Sequence, residues 1–557
     1  MRRSWWLPAF AACAAVLLRL PLLFRGEAFF SSDEAVEGLM ARHLADLPLM
    51  FWGQGYKGVP EVYLTAPVFA AFGAGVIQLK SVTLALWAIA VALVTRLAQR
   101  WHGDRVAWMT AALVVTGPPA LAFWSLSGNA EYAILIALSA ALCLDYQRGV
   151  DTPLVRSSRS WLWCGIALWI HPAGVCLVVA FVTVRLLGSQ TWRGHGWSGL
   201  ARVLLVAEQP VALRTLVLVL QTTVVVVMLI FVFTYSGGSV HLGPIRATHP
   251  QRSLRAIAVL CGLITVAHVF AGTVMPRRRA LPALAWFLAG ITPLIIQAVR
   301  GDLGTSVITR GLSDAPLLVK QIALDLVPIV VGLQDPFGGP LSVPAWLAMG
   351  LAAGAAVSLI GGARVLVASR SGAAVRPDQA FALLAGLAML GLLVVGGAFQ
   401  GSTSSRYVMA LMGVFAIAVA AGLDWILSRN RAVGGALLAG TLLFFALGQL
   451  QWRETLVPDR SARLMIDCLA QHDVRAAIAD YWTAYRLTFL SGERLVVVPD
   501  DPVGDRYRPY RNQVRAAHTV ASIREVRGEA RDSTGEPTVI CRTPTLTATV
   551  LRRPIVR

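Results

Sequence analysis

Long apolar runs alternate with short polar breaks along this chain, and the runs set the architecture. The first, 5–24, stands behind Met1-Arg2-Arg3. No small-residue cleavage site follows it and many further runs do, so it predicts an uncleaved first helix rather than a leader. Runs of spanning length recur at 79–98, 106–124, 128–147, 213–235, 254–275, 280–299, 343–368, 379–398, 407–427 and 432–450. The stretch 161–187 is long for one helix and is interrupted at His171-Pro172, which predicts two short spans meeting there. The total is about thirteen spans.

Composition agrees with the pattern. Of 557 residues, 56% are hydrophobic and 14% charged, against about 25% charged in a soluble domain. The expected fold class is therefore an all-α polytopic membrane bundle, and its partner is membrane lipid. The net charge is +19, but the cations are scattered between apolar runs, so a nucleic-acid partner is not implied. Instead they fall on alternate breaks. One side holds Arg96, Arg100 and Arg105, then Arg148, Arg156 and Arg159, then Arg185, Arg193 and Arg202, then 277–279, then Arg364 and Arg370, then Arg429 and Arg431. The positive-inside rule puts these and the N-terminus in the cytoplasm. An odd number of spans then puts the tail outside. Reading 161–187 as a single span would break the alternation.

Outward segments of real length are 25–78, 236–253, 300–342 and the tail from 451. The chain thus divides into a membrane domain, 1–450, and an extracytoplasmic domain, 451–557. In the tail, 461–473 and 482–491 read as helices, and 475–481 and 494–499 as strands, giving a small C-terminal α/β domain. Its two cysteines, Cys468 and Cys541, are either bridged or free. Two cysteines give little pattern, and free thiols are the favoured reading.

The first outer segment carries the densest chemistry. It reads Ser31-Ser32-Asp33-Glu34-Ala35-Val36-Glu37. Val36, Leu39, Met40, Leu44 and Leu47 recur at helical spacing, with Glu37, Arg42, His43 and Asp46 between them. The pattern predicts a helix lying in the interface plane, apolar side down. Ser31 and Glu34 fit a capping box, which competes with a catalytic role for Glu34. A carboxylate such as Asp33, held at the mouth of a bundle, is placed to take a proton from an acceptor hydroxyl.

An Asp-Glu pair just after the first span resembles the polyprenyl-phosphate-sugar-dependent glycosyltransferases of the C superfamily. The nearest families are the protein O-mannosyltransferases, the aminoarabinose transferases and their bacterial cousins. Four further stretches carry the resemblance: Phe51-Trp52-Gly53-Gln54-Gly55-Tyr56-Lys57-Gly58, Glu61-Val62-Tyr63-Leu64, Gly128-Asn129-Ala130-Glu131-Tyr132 and Ser405-Arg406-Tyr407. It spans essentially all of 1–450.

The resemblance implies transfer of a monosaccharide from a polyprenyl-phosphate donor to an acceptor hydroxyl on a glycan, lipid or protein. The anomeric centre inverts in one displacement at the outer face, with no metal or other cofactor. Asp33 matches the base, with Glu34 beside it. The leaving phosphate needs fixed cations, and Lys57, Arg406 and Arg19 are the candidates. Gln54, Tyr56, Glu61, Tyr63, His171 and Tyr407 are candidate substrate contacts, with Glu131 behind them. His241, His249 and His268 lack metal-ligand spacing. In the tail, the aromatics around Tyr481 and Tyr485 fit stacking on sugar rings or ordinary packing. The rival reading is a non-enzymatic lipid-sugar flippase or transporter. Transporters place polar groups at midplane and often repeat their halves, whereas these polar clusters fall at span ends and no halves repeat.

Overall fold

The computed structural model describes residues 5–148, 154–187, 277–300, 315–341, 377–395, 405–458, 460–525 and 539–552, with short pieces between 211 and 267. The expected spans at 213–235, 254–275 and 343–368 fall largely or wholly outside the described residues, as do His249 and His268. Among the described residues, four helices are long and apolar enough to cross a membrane: Trp6–Leu23 (α1), Val76–His102, Met412–Arg429 and Arg431–Thr455.

The first outer segment forms α2, Ser32–Arg42, and α3, Pro60–Phe72. Val76–His102 is α4 and Asp104–Thr116 is α5. The expected span 106–124 is not one helix. It stops at Thr116, where Gly117 adopts φ +50° and two prolines follow, and resumes as the short α6, Pro119–Trp124. Proline cannot continue the ladder of the preceding turn. The break expected at His171-Pro172 is present. It separates α8, Leu154–Ile170, from α9, Gly174–Leu187, and the helix before them is α7, Glu131–Arg148. The Arg406-Tyr407 motif opens a short helix, Arg406–Met409.

The predicted placement of α2 needs correction. Its apolar residues Val36, Leu39 and Met40 are fully buried, but so are Glu34 and Glu37. The helix does not float with a wet polar face. It is packed between α3 and the C-terminal domain, with Gly38 against the ring of Phe489, where a Cβ would lie 2.4 Å from a ring carbon.

The tail is an α/β domain with a five-stranded sheet in the order β4-β3-β5-β7-β6. Counting the hairpin Val240–Leu242 and Ile245–Ala247 as β1 and β2, the strands are β3 Ala476–Ala479, β4 Val496–Pro499, β5 Thr519–Glu525, β6 Val539–Arg542 and β7 Leu546–Arg552. The first three are parallel, and β5-β7-β6 are antiparallel. The expected elements at 461–499 are all present. Cys468 and Cys541 are joined by a disulfide, which corrects the favoured reading of two free thiols. The helix Ser461–Gln471 lies against β6 and β7, so the sheet order brings together two cysteines far apart in sequence.

Candidate active site

Charged side chains collect where the heads of α2, α4 and α7, the end of α8 and the Arg406 turn converge. The loop 49–58 is pinned there. Gly58 N donates to Ile170 O at 3.0 Å and Trp169 Nε1 to Leu49 O at 2.9 Å. Met50 and Gly58 pair as an isolated bridge, which turns Lys57 inward.

Glu34 is the anchor of α2. Its Oε2 accepts from Ser31 N at 2.9 Å in the expected capping box, while Oε1 meets Lys80 Nζ at 2.5 Å and Gly128 N at 2.6 Å. Both Glu34 and Lys80 are fully buried. Gly128 has to be glycine, because a Cβ there would stand 2.9 Å from Glu34 Cγ. Lys80 was missed in the sequence as a site residue. The available signal was a lysine inside the first turns of an apolar run, which in a membrane protein demands a partner.

One turn along α2 lies a second cluster. Lys57 Nζ donates to Glu37 Oε1 at 2.5 Å and Asn129 Oδ1 at 3.0 Å, and stands 3.2 Å from Glu131 Oε2 as an ion pair. Carboxylate oxygens of Glu37, Glu61 and Glu131 lie within 4.8 Å of one another, all buried. Three oxygens at that spacing suit a divalent ion, but the Lys57 ammonium already sits among them. Burial works against the Lys57 charge, yet the surrounding glutamates raise its pKa well above the ordinary lysine value. Burial pushes Glu37 well up and Glu61 to about 7, with Lys57 opposing both; Glu61 and Glu131 add to the shift of Glu37, and Glu131 adds to that of Glu61. Carboxylates this close cannot all stay ionised.

Asp33 is half-buried and points the other way, toward the C-terminal domain. Its Oδ1 accepts a short hydrogen bond from Tyr481 Oη, and Tyr481 Oη accepts from Arg506 Nε at 3.4 Å. Burial and the Asp33 charge push the Tyr481 hydroxyl up, so it remains a donor. From the bundle side, Arg406, Tyr56 and Asp33 are within electrostatic range of one another. Arg406 donates to Tyr407 Oη at 3.1 Å, and its buried Nε has no partner among the described residues. Tyr407 and Tyr132 flank His171, with ring centroids at 6.3 and 5.6 Å. Tyr56 donates to Gln54 at 3.1 Å.

The structure thus brings together Asp33, Lys57, Arg406, Gln54, Tyr56, Glu61, Glu131, His171 and Tyr407. It separates two others. Arg19 is buried, but bonds Ser125 Oγ at 3.0 Å and Gln449 Oε1 at 3.3 Å, with no bond to Asp33, Lys57 or Arg406. It ties α1 to the α6 turn and to the helix Arg431–Thr455. Tyr63 turns away from Glu61 and donates to Pro48 O at 3.0 Å. Two residues along a helix rotate a side chain by about 200°, so Glu61 and Tyr63 cannot face one pocket. The contribution of Arg506 was missed because it is one of three arginines in a short polar stretch, with Arg508 and Arg511, and nothing local singles it out.

No family model matches the chain, and no curated protein matches its sequence. Solved structures give distant likenesses. The oligosaccharyltransferase AglB from Archaeoglobus fulgidus, solved with an inhibitory peptide and a dolichol-phosphate, is similar over 93% of this chain and 69% of its own, with 14% identity and a TM-score of 0.48. ArnT from Cupriavidus metallidurans, bound to undecaprenyl phosphate, is similar over 97% of each chain, with 13% identity and a TM-score of 0.42. At such TM-scores the likeness places no residue and assigns no activity to this chain.

Proposed function

We propose that this chain is an integral-membrane glycosyltransferase that moves a monosaccharide from a polyprenyl-phosphate donor to an acceptor hydroxyl, with inversion. The observation that carries the reading is that Asp33 and Arg406 lie within electrostatic range of each other at the mouth of a membrane bundle. Among the described residues neither has an ion pair, and the buried Arg406 Nε has no hydrogen-bond partner. The two buried lysines beside α2 are already neutralised, Lys80 by Glu34 and Lys57 by its glutamates. Asp33 takes the proton of the acceptor hydroxyl, whose oxygen attacks the anomeric carbon from the face opposite the phosphate. The bond to the phosphate oxygen breaks, and the charge that develops there is met by Arg406, with Lys57 behind it. Glu34 holds the first turn of α2 rather than exchanging protons, since both its oxygens are occupied. Gln54, Tyr56, Tyr407 and His171 are the candidate contacts for the sugar.

The site and the C-terminal domain face the same side of the membrane, since Tyr481 touches Asp33. That side is extracytoplasmic on the arginine alternation, and the Cys468–Cys541 bridge fits an oxidising compartment. A transporter would need its charged groups on a path through the bundle, and these cluster at one end.

Asp33→Asn is the direct test. Ser31, not Asp33, caps α2, and Asn is isosteric with Asp, so expression and folding stay normal while sugar transfer is lost. Transfer is read in membranes with a panel of polyprenyl-phosphate pentoses and hexoses, and by mass spectrometry of envelope glycans in a strain lacking the chain. Glycan restored to wild-type level by Asp33→Asn would remove Asp33 as the base.

A further inference from the structure

The C-terminal domain grips α2 at three levels. At the first turn, Ser32 Oγ donates to Tyr481 O at 2.6 Å and Trp482 O at 3.1 Å. In the middle, Phe489 packs on Gly38. At the end, Arg42 and His43 meet Glu493 at 3.5 and 2.6 Å. The helix Tyr481–Leu490 is itself fixed at its start, where the Asp480 side chain accepts from Trp482 N and Thr483 N. A second clasp joins the loop 49–58 to the stretch after β4. Trp52 stacks on Tyr507 at 4.0 Å, and Tyr507 Oη donates to Asp46 at 2.9 Å. The hydrogen bond from Tyr481 to Asp33 is therefore imposed by docked backbone on both sides. It falls on Oδ1 alone, and Oδ2 has no hydrogen bond among the described residues.

We propose that Tyr481, backed by Arg506, is a positioning residue for Asp33: it fixes Oδ1 and leaves Oδ2 as the oxygen that receives the acceptor proton. This rests on the reading of Asp33 as the base. A carboxylate with both oxygens free rotates about its own bond and accepts a proton in many poses. One held at Oδ1 presents a single lone-pair direction, which is the geometric requirement of a general base. The other groups facing Asp33 are Tyr56 from the loop 49–58, Arg406 from the bundle, and Arg506 beside Tyr481. Tyr481 acts on Asp33 without touching the reacting atoms. On this account the C-terminal domain completes the active site.

The test uses the full-length protein in lipid nanodiscs. Infrared difference spectra at fixed pH, with Asp33→Asn as the blank, isolate the Asp33 carboxylate stretches without any sugar donor. Tyr481→Phe keeps the ring and removes the hydroxyl. It is expected to change the splitting between the symmetric and antisymmetric stretches, because Oδ1 loses its donor. Arg506→Lys, which keeps the charge and loses the fixed fork, changes it in the same direction by less. Trp482→Ala, at an exposed neighbour, leaves it unmoved. In a strain lacking the chain, Tyr481→Phe restores about a tenth of the envelope glycan given by wild type. An unmoved splitting together with full glycan yield in Tyr481→Phe overturns the proposal. Full glycan yield from Asp33→Asn overturns the base reading instead, and the infrared splitting still reports on the Tyr481 bond by itself.

Discussion

Glu34 and Glu37 lie three residues apart on one face of α2, and each meets a buried lysine, yet the two sites behave differently. The Glu34–Lys80 site is closed. One carboxylate meets one ammonium at 2.5 Å, and the remaining acceptor capacity is taken by Ser31 N and Gly128 N. The Lys57 site is open. One ammonium serves Glu37, Glu61 and Glu131, and both Glu61 oxygens lack a donor among the described residues. The first arrangement is a neutral tie between α2 and α4. The second carries excess acid in a dry place and has to hold protons to exist. The same residue types therefore make a fixed joint in one case and a titratable cluster in the other. The stoichiometry decides which.

Breaking the closed site has the largest expected effect. Lys80→Met leaves Glu34 buried without a counter-charge, at a cost of roughly 3–5 kcal/mol. Glu34→Gln added to Lys80→Met keeps the capping box and removes both charges, so most of the loss is recovered. The check is unfolding of the full-length protein in detergent micelles for the two single variants and the double. Additive losses in the double variant would mean that the two groups are not coupled. At the open site the same kind of change acts on turnover more than on folding. Lys57→Met removes a cation placed behind the leaving phosphate, and the glutamates left behind take up protons in compensation. Donor turnover is expected to fall on the order of 10²-fold, measured with polyprenyl-phosphate sugars across donor concentrations. Unchanged kinetics would place the donor phosphate elsewhere.

The joint and the cluster differ also in how far they were legible. The break at His171-Pro172, the capping box at Ser31 and the tail elements through β4 follow from local signals, because proline, serine and apolar periodicity act on their own neighbours. The convergence of Asp33, Lys57 and Arg406 was legible through motif chemistry. What was not legible is which carboxylate meets which cation. Lys57 was read as the lysine nearest the acidic pair, whereas Lys80, more distant in sequence, is the one that binds Glu34. Arg19 sits near the outer end of α1 as expected, but helix rotation turns it to Ser125 and Gln449. The burial of α2 beneath the C-terminal domain depends on residues more than 400 positions away, and no periodicity within the helix reports a partner that covers its polar side. The disulfide has the same origin, since the sheet order pairs β6 with β7 beside the helix that holds Cys468.

The finest distinction between the two sites is their response to pH. Glu61 has its pKa raised from 4.5 to about 7, by burial first and by Glu131 next, with Lys57 opposing. A carboxyl whose folded pKa lies above its unfolded value binds more protons when folded, so stability falls as pH rises between the two values. Below about 4.5 both states are protonated and the slope vanishes, and above about 7 both are ionised and the penalty is complete. Glu37 is shifted in the same direction and adds to the slope. Lys57, raised above the ordinary lysine value, contributes only at strongly alkaline pH, outside this window. The thermal midpoint of the wild-type protein in nanodiscs should therefore decline from pH 5 to pH 7.5. Glu61→Gln, isosteric and permanently neutral, should flatten that decline and raise the midpoint most at the upper end. Glu34→Gln, at the closed site, should lower the midpoint at every pH without flattening the slope. If Glu61→Gln leaves the slope as steep as in wild type, the proton that sets the slope does not reside on Glu61, and Glu37, raised in the same direction, is the carboxyl that carries it.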